Sequence, residues 1–257
     1  MPTSPRAGEL SLFVFAHPDD EFGCFESIRL SVAHGGRVLC VYLTDGAFGG
    51  QSAAPRIQES TAVLGRLGVQ PHDIHFIGFT ESIADGSLPQ LADTAYQALS
   101  TLMERHDAPT HVYCTAWEGG HQDHDAAFLI TQSYVRNHAP NCTRLQFSLY
   151  NGRGLPGPIF RVLSPLREQG SINRLPLSLS LRLFYLRLCL GYPSQWKTWL
   201  GLFPFVALTL AVRGSYLVQD ARQVDMQRPH EGALLYERRG AMTWDAFRRA
   251  CAHFMAT

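Results

Sequence analysis

The sequence carries no excess of charge of either sign, because Lys plus Arg and Asp plus Glu both number 22 in 257 residues. A chain without a basic field has little with which to hold a polyphosphate backbone, so we expect no nucleic-acid partner. The six cysteines are widely separated and form no CxxC pair. This spacing argues against the dense disulfide framework of small secreted domains and predicts reduced, mostly buried thiols.

Long hydrophobic runs are also missing. The most apolar stretch, 199–212, has 14 residues and contains Pro204, whereas about 20 apolar residues are needed to span a bilayer. We expect it to be a buried segment; membrane contact by 181–212 is left open and is not predicted. The first ten residues contain no apolar signal-type segment, so a cytoplasmic location is expected.

Short β-branched or aromatic runs alternate with longer helical patterns from Ser11 onward, which indicates βαβ units and a parallel sheet. The pattern predicts strands at 11–16, 37–43, 73–77, 110–115 and 144–149. Helices are predicted near 22–34, 55–67, 88–106 and 125–138. A Rossmann-like strand order of 3-2-1-4-5 follows, and hence an α/β three-layer sandwich with a mainly parallel sheet. Its active site is expected at the C-terminal ends of strands 1 and 4.

The pattern loosens after residue 150. We expect a single domain over residues 1–257, with a flexible N-terminus at 1–10 and an irregular, partly helical region at 151–215 that lines the pocket. A late strand is predicted at 233–239. An amphipathic helix is predicted at 243–254, because four apolar side chains recur there at helical spacing: Trp244, Phe247, Cys251 and Phe254.

The segment AHPDDE at 16–21 follows directly on strand 1. Pro18 suits the first turn of a helix, and His17 and Asp20, three residues apart, can meet on one side of that turn while Asp19 points elsewhere. An imidazole and a carboxylate suit zinc, which in catalytic sites usually has three protein ligands and one open position. His17 and Asp20 are therefore candidate ligands and Asp19 a candidate base, whereas Glu21 is expected to be a helix-N-terminal charge favoured by the dipole.

A second polar segment, HQDH at 121–124, follows strand 4 and should face the first across the crevice between the two strands. It offers the third ligand, although the spacing of His121 and His124 does not say which one binds. The other histidine could then steady an oxyanion or protonate a leaving amine. Asp123 would hydrogen-bond a histidine ring and fix its tautomer.

The two motifs together resemble the signature of the PIG-L/LmbE-like de-N-acetylase family, a hydrophobic strand ending in AHPDDE and a later HxDH, without a substitution. Members of that family remove acetyl from N-acetylglucosamine-type sugars on lipid, thiol or antibiotic carriers. The resemblance implies Zn²⁺ as the cofactor, with Fe²⁺ as the alternative, and a small-molecule or glycoconjugate substrate. It implies these roles: metal ligands His17, Asp20 and His124, general base Asp19, and an oxyanion or leaving-group role for a protonated His121 supported by Asp123.

Weaker similarities extend along the chain, in the TDG turn at 44–46, an RxxE pattern at 56–59, a DG pair at 85–86 and YPSQ at 192–195. They make Arg56 and Asp85 candidates for gripping sugar hydroxyls. Each has an ordinary structural explanation, since Arg56 could pair with Glu59 on its helix and Asp-Gly is a common turn.

Two other functions fit the same residues. One is a metal-dependent deacylase or esterase acting on another acyl substrate, and the other is a non-catalytic sugar-binding protein. Zinc kept only for structure is disfavoured, because such sites are normally closed by four ligands, often cysteines, and neither motif contains a cysteine. Nucleotide binding is disfavoured because HPDDE stands where GxGxxG would be needed. The carrier of the acyl group and the oligomeric state are left open.

Overall fold

The protein is described here by a computed structural model that covers residues 6–47, 52–222 and 227–255. Its strands are β1 (Leu10–Phe15), β2 (Arg37–Tyr42), β3 (Ile74–Phe76), β4 (His111–Thr115), β5 (Thr143–Phe147), β6 (Tyr150–Asn151), β7 (Arg161–Val162), β8 (Ile172–Pro176) and β9 (Ser215–Asp220). Its helices are α1 (Phe25–Ala33), α2 (Ala53–Arg66), α3 (Ile77–Thr80), α4 (Ala92–Met103), α5 (Gln122–His138), α6 (Leu179–Cys189), α7 (Trp196–Arg213), α8 (Leu235–Arg238), α9 (Trp244–Ala250) and α10 (Ala252–Met255). Short 3₁₀ turns lie at Asp20–Gly23, Pro71–Asp73, Arg167–Gln169 and Pro193–Gln195.

The central sheet has seven strands in the order β3-β2-β1-β4-β5-β9-β8. The first five are parallel, and β9 and β8 extend the edge beside β5 in antiparallel pairing. This confirms the predicted Rossmann-like α/β architecture with the order 3-2-1-4-5. β1 and β4 are direct neighbours, with Val14 paired to Cys114, so the chain segments that follow them leave the sheet at the same edge.

Helices cover both faces of the sheet. Successive side chains of a buried strand point to opposite faces, so each face has apolar side chains that must be covered. In β1, Leu12 and Val14 pack in one core and Phe13 and Phe15 in the other. The first core includes α4, α5 and the C-terminal helices, and the second includes α1, α2, α6 and α7. The result is a three-layer sandwich.

The predicted C-terminal amphipathic helix is confirmed as α9 and α10, with all four predicted apolar side chains buried. The predicted strand at 233–239 is wrong. Its residues form the helical turn α8, where the Glu237 carboxylate accepts the backbone N–H groups of Leu234 and Trp244, both at 2.9 Å. β9 instead pairs with β5 in the sheet.

The segment 199–212 is only half buried. Within α7, Trp199, Leu202, Val206 and Leu210 face the core, whereas the opposite side is exposed. No helix in the described part of the chain is long and apolar enough to cross a bilayer.

The predicted flexible N-terminus at 1–10 is described only in part. Residues 1–5 lie outside the described ranges, while Gly8 donates its N–H to the carbonyl of Gly35 at 3.1 Å and Leu10 begins β1. The region 151–215 contains the hairpin of β6 and β7, then β8, α6 and α7.

Candidate metal centre

The two polar motifs meet at the carboxyl edge of β1 and β4. After β1, the carbonyl of Ala16 accepts the Thr44 hydroxyl at 2.7 Å, which ties the start of the first motif to the end of β2. After β4, the chain returns into α5, whose first residues carry the second motif. Thr115 donates its hydroxyl to the carbonyl of His124 at 2.8 Å and so fixes that first turn against the strand end.

His17, Asp20 and His124 converge on one point. Nδ1 of His17 lies 3.2 Å from Nε2 of His124. Nε2 of His124 lies 3.1 Å from Oδ1 of Asp20, and Nδ1 of His17 lies 3.6 Å from Oδ2 of Asp20. All three residues are buried, so the donor atoms are shielded from bulk water.

These separations fit a single zinc ion. Ligand atoms about 2.0–2.1 Å from a tetrahedral ion are roughly 3.3 Å apart, close to the three distances above. The donor set, two imidazole nitrogens and a carboxylate, is also one that zinc accepts. The arrangement of these side chains is therefore compatible with one bound metal ion.

The orientation of His17 is set from behind the cluster. Its Nε2 atom lies 3.0 Å from Oδ2 of Asp123 and 3.2 Å from Oδ1 of Asp85. When Nε2 carries the proton that these carboxylates accept, the lone pair of Nδ1 faces Asp20 and His124. A carboxylate behind a ligand histidine is a common feature of zinc sites, because it fixes the tautomer and raises ligand basicity.

Asp123 differs from the expectation that it supports His121. Its carboxylate contacts His17 and also accepts the backbone N–H groups of Gly86 at 2.6 Å and Leu88 at 3.2 Å. Its backbone N–H, not its carboxylate, faces His121 and donates to Nδ1 at 3.2 Å. The reason is that His121 is the N-cap of α5, and an N-cap side chain accepts from the backbone two or three residues ahead.

His121 lies beside the cluster, nearer to solvent. Its side chain is 22% exposed, against 2% for His124. Its ring centre is 4.8 Å from that of His17 and 5.2 Å from that of His124, and the three imidazoles lie close enough together to share an ion. Burial, helped by His17, lowers the pKa of His121 to about 4, which favours the neutral ring near pH 7.

Asp19 lies beside the three converging side chains, but its carboxylate makes no hydrogen bond to them among the described contacts. Its φ of 122° is unusual for a residue other than glycine, and such a conformation costs on the order of 1–3 kcal/mol and is concentrated at functional sites. Oδ1 of Asp19 accepts a hydrogen bond from the Arg56 guanidinium at 3.1 Å. Burial raises the pKa of Asp19 to about 6 although Arg56 acts against it.

Arg56 and Asp85 both join this cluster. Arg56 also donates to the carbonyl oxygens of Pro18, at 2.8 Å, and Gly46, and lies 3.5 Å from Oδ2 of Asp85. The alternative pairing of Arg56 with Glu59 is not observed. Glu59 instead accepts from the backbone N–H and the hydroxyl of Ser194.

The electrostatics follow from this packing. Burial alone would lower the pKa of His17, but Asp85, Asp20 and Asp123 raise it well above its usual value. Burial would raise the pKa of Asp20, but His124 and His17 hold it well below its usual range. The pKa of Asp85 is lowered, despite burial, chiefly by His17. The cluster therefore favours charged carboxylates around imidazole rings.

Two further residues contribute to the site in ways that the sequence did not predict. Glu21 is fully buried, accepts the Tyr192 hydroxyl and the backbone N–H of Asp19, both at 3.0 Å, and burial raises its pKa to about 7. It lies in the first turn of the 3₁₀ helix that begins at Asp20, and it also braces the strained backbone of Asp19. Tyr150 has its ring centre 5.4 Å from that of His124. The sequence similarity at 192–195 includes Tyr192, the partner of Glu21, and so gave a signal for Glu21. We find no sequence pattern that indicates Tyr150.

The structure so far defines a Rossmann-like α/β protein with a buried histidine–aspartate cluster at the crevice between two parallel strands. Residues 12–135 match the model of the PIG-L family, described as GlcNAc-PI de-N-acetylase. The resemblance drawn from the two motifs is confirmed by this match, which covers both of them.

Solved structures with the same fold extend the comparison to most of the chain. One is a triple mutant, Orf2*T, of a deacetylase of the teicoplanin biosynthetic pathway, which is 19% identical with a TM-score of 0.62, over 84% of this chain and 99% of that one. Another is N,N'-diacetylchitobiose deacetylase from Pyrococcus horikoshii, 17% identical with a TM-score of 0.59 over 83% of each chain. A third is the zinc-inhibited form of teicoplanin deacetylase Orf2, 17% identical with a TM-score of 0.59 over 84% and 100%. No curated protein sequence matches the chain significantly.

Proposed function

We propose that this protein is a zinc-dependent hydrolase that removes the acetyl group from an N-acetylated sugar of the N-acetylglucosamine type or a related glycoconjugate. One observation carries the proposal: His17, Asp20 and His124 converge within 3.6 Å of one another, with the carboxylate of Asp19 beside them. The family match supports the N-deacetylase class. The names of the similar structures agree with it.

His17, Asp20 and His124 would hold the metal. When bound, a zinc ion supplies Lewis acidity towards the acetyl carbonyl and lowers the pKa of a coordinated water towards about 7. Three protein ligands would leave one coordination position of the ion open, as this chemistry requires. The carboxylates of Asp123 and Asp85 behind His17 keep its Nδ1 directed towards Asp20 and His124, where the ion would be held.

Asp19 is the residue we assign as general base. It follows His17 by two positions yet makes no contact with Asp20 or His124 through its carboxylate in the hydrogen bonds described; Oδ1 is held by Arg56. In the proposed reaction Asp19 takes a proton from water as the water oxygen bonds to the acetyl carbon. The same proton is then delivered to the nitrogen as the C–N bond breaks, so that acetate and a free amine leave.

His121 is placed to act on the substrate side of the cluster. Its Nδ1 atom is occupied by the Asp123 backbone N–H, so only Nε2 is directed elsewhere. In its neutral form the ring can donate one hydrogen bond from Nε2 to an oxyanion or to the leaving nitrogen. Its partial exposure gives a substrate access that the buried His124 ring lacks.

We assign different roles to Arg56 and Asp85. Arg56 is 6% exposed and its two terminal nitrogens are already bonded to Asp19 and to two backbone carbonyls, so we assign it to positioning the base. The Asp85 side chain is more exposed, at 15%, and lies between Arg56 and the histidines. We assign Asp85 as the contact for a sugar hydroxyl.

Two assays test the proposed function. The first measures free-amine release from N-acetylglucosamine derivatives by purified protein loaded stepwise with zinc, since one of the similar structures is described as a zinc-inhibited form. The second compares O-acetyl and longer N-acyl analogues. Preference for N-acetyl substrates supports the deacetylase, preference for the analogues favours the esterase or deacylase alternative, and sugar binding without turnover favours the non-catalytic alternative.

A further inference from the structure

α7 is apolar on all sides but buried on only one. Its exposed side carries five large apolar residues, which we call the α7 face: Trp196, Leu200, Phe205, Leu208 and Val212, each 47–80% exposed. A helix that is hydrophobic all round is normally enclosed by protein or lipid. Of the eleven large apolar side chains exposed in the described residues, eight lie between Leu179 and Val212. Such a concentration marks an interaction surface rather than scattered surface leucines.

α6 packs against α7 and has the same character. It exposes Leu179 and Leu183, and Leu190 follows at its end. Ile159 is exposed next to Phe160, whose ring contacts that of Phe205 at 5.7 Å between centres. The apolar surface therefore extends from α7 towards the β6–β7 hairpin.

The charge of this region has one sign. Residues 169–219 contain no Asp or Glu, but they contain five cations: Arg174, Arg182, Arg187, Lys197 and Arg213. The whole chain is neutral, so this segment is basic relative to the rest. Arg174, Arg187 and Lys197 are exposed, and Lys197 lies over the Trp196 ring. Apolar side chains flanked by Lys and Arg, with Trp at the boundary, are typical of helices that lie in a membrane interface.

We propose that the α7 face docks on the surface of an anionic lipid bilayer, with α7 lying in the interfacial plane. The helix does not span the membrane, because none of the described helices is long and apolar enough to do so. A second copy of the chain is the less suitable occupant. A symmetric contact would place the cationic segment of one copy against that of the other, which is unfavourable, whereas anionic headgroups neutralise it.

The surface is connected to the candidate active site. A cavity of about 270 Å³ is lined by Tyr150, Phe160 and Arg239 on one side and by Thr198, Gly201 and Leu202 of α7 on the other. Tyr150 is the residue whose ring contacts that of His124. Docking through the α7 face would therefore bring this cavity to the bilayer surface.

Vesicle co-sedimentation tests the proposal without any need for catalytic turnover, so its outcome is independent of the proposed deacetylase activity. The full-length protein is mixed with phosphatidylcholine vesicles that contain or lack phosphatidylglycerol. We expect sedimentation with the anionic vesicles and much less with pure phosphatidylcholine. The double variant Leu200→Ser/Leu208→Ser should bind at least about tenfold more weakly, because two exposed leucines no longer enter lipid. Lys197→Glu should also weaken binding, and added salt should do the same.

Matched controls use residues of the same type away from the α7 face. Phe79 is 54% exposed on α3 and Arg66 is exposed at the end of α2; Phe79→Ser and Arg66→Glu should bind as the unaltered protein does. Unchanged melting temperatures establish that the variants are folded. The proposal is overturned by wild-type protein that stays in the supernatant with both vesicles, by equal losses in the control variants, or by a dimer in sedimentation equilibrium that Leu200→Ser dissociates.

Discussion

The Nε2 atom of His17 lies 3.0 Å from Oδ2 of Asp123, a residue 106 positions further along the chain. The contact joins the two motifs directly, since the second motif orients a candidate ligand of the first. The same carboxylate accepts two backbone N–H groups from the turn at 86–88, which brings Asp85 to the cluster. The arrangement of the site therefore depends on Asp123 as much as on the candidate ligands.

Replacement of Asp123 by Asn should weaken metal binding. An amide nitrogen in place of Oδ2 would oppose both Nε2 of His17 and the N–H of Gly86, and one in place of Oδ1 would oppose the N–H of Leu88. In either orientation, the carboxylate charge that favours the Nε2–H tautomer of His17 would be lost. Changes at such supporting residues typically lower metal affinity about 10–100-fold. Zinc affinity measured by competition with a chelator checks this. Asp245→Asn, on the exposed surface of α9, is the control, and equal affinities for the two variants would contradict the orienting role.

Asp19→Asn should leave zinc binding near normal and reduce turnover. The neutral amide cannot accept the proton from water, and general-base catalysis typically contributes about 10²–10⁴-fold to rate. Amine release and zinc content are measured on the same preparations. A variant that turns over at the wild-type rate would remove Asp19 from the role of base.

Glu118 supports the loop after β4, and Glu118→Gln should destabilise the fold. The buried carboxylate accepts four hydrogen bonds, from the hydroxyl of Ser148, the backbone N–H groups of Leu149 and Tyr150, and the side-chain amide of Asn151. A glutamine turns one acceptor into a donor. Hydrogen bonds to charged groups contribute about 1.5–3 kcal/mol each, and we expect a loss of that order in the free energy of unfolding. Urea denaturation measures it, and an unchanged midpoint and slope would contradict the assignment.

Removal of metal should lower the melting temperature. A ligand present at about 100 times its dissociation constant stabilises the native state by about 2.7 kcal/mol, which corresponds to roughly 5–10 °C for a chain of this size. Differential scanning calorimetry with and without chelator gives the shift. Coincident melting curves, with zinc shown to be bound in one sample, would indicate that binding is not coupled to the native state.

Strand order and the meeting of the two motifs could be predicted from the sequence, because both follow from local patterns. Buried strands such as β1 and β4 are short and rich in β-branched or aromatic residues, and parallel strands align their carboxyl ends. Once the strand order makes β1 and β4 parallel neighbours, the segments that follow them must lie at the same edge of the sheet. The proximity of the two motifs follows from that alone, but the choice between His121 and His124 as a ligand does not.

Three features of the structure could not be predicted from the sequence, and each has a physical reason. The partner of Asp123 depends on the ring orientation of His17 and on the turn at 86–88, neither of which spacing encodes. An all-apolar helix such as α7 gives no sign of which face is buried. The antiparallel addition of β8 and β9 rests on pairings with no periodic signal, since β9 lies more than sixty residues after β5 along the chain.

The number of zinc ions bound per chain, measured for the wild type and two variants, tests most directly whether His17, Asp20 and His124 hold one ion. We expect about one equivalent of zinc in the wild type, near-wild-type zinc with impaired turnover in His121→Ala, and almost none in His124→Ala. A His124→Ala variant that is folded and retains a full equivalent, or a His121→Ala variant that loses it, would contradict the assignment.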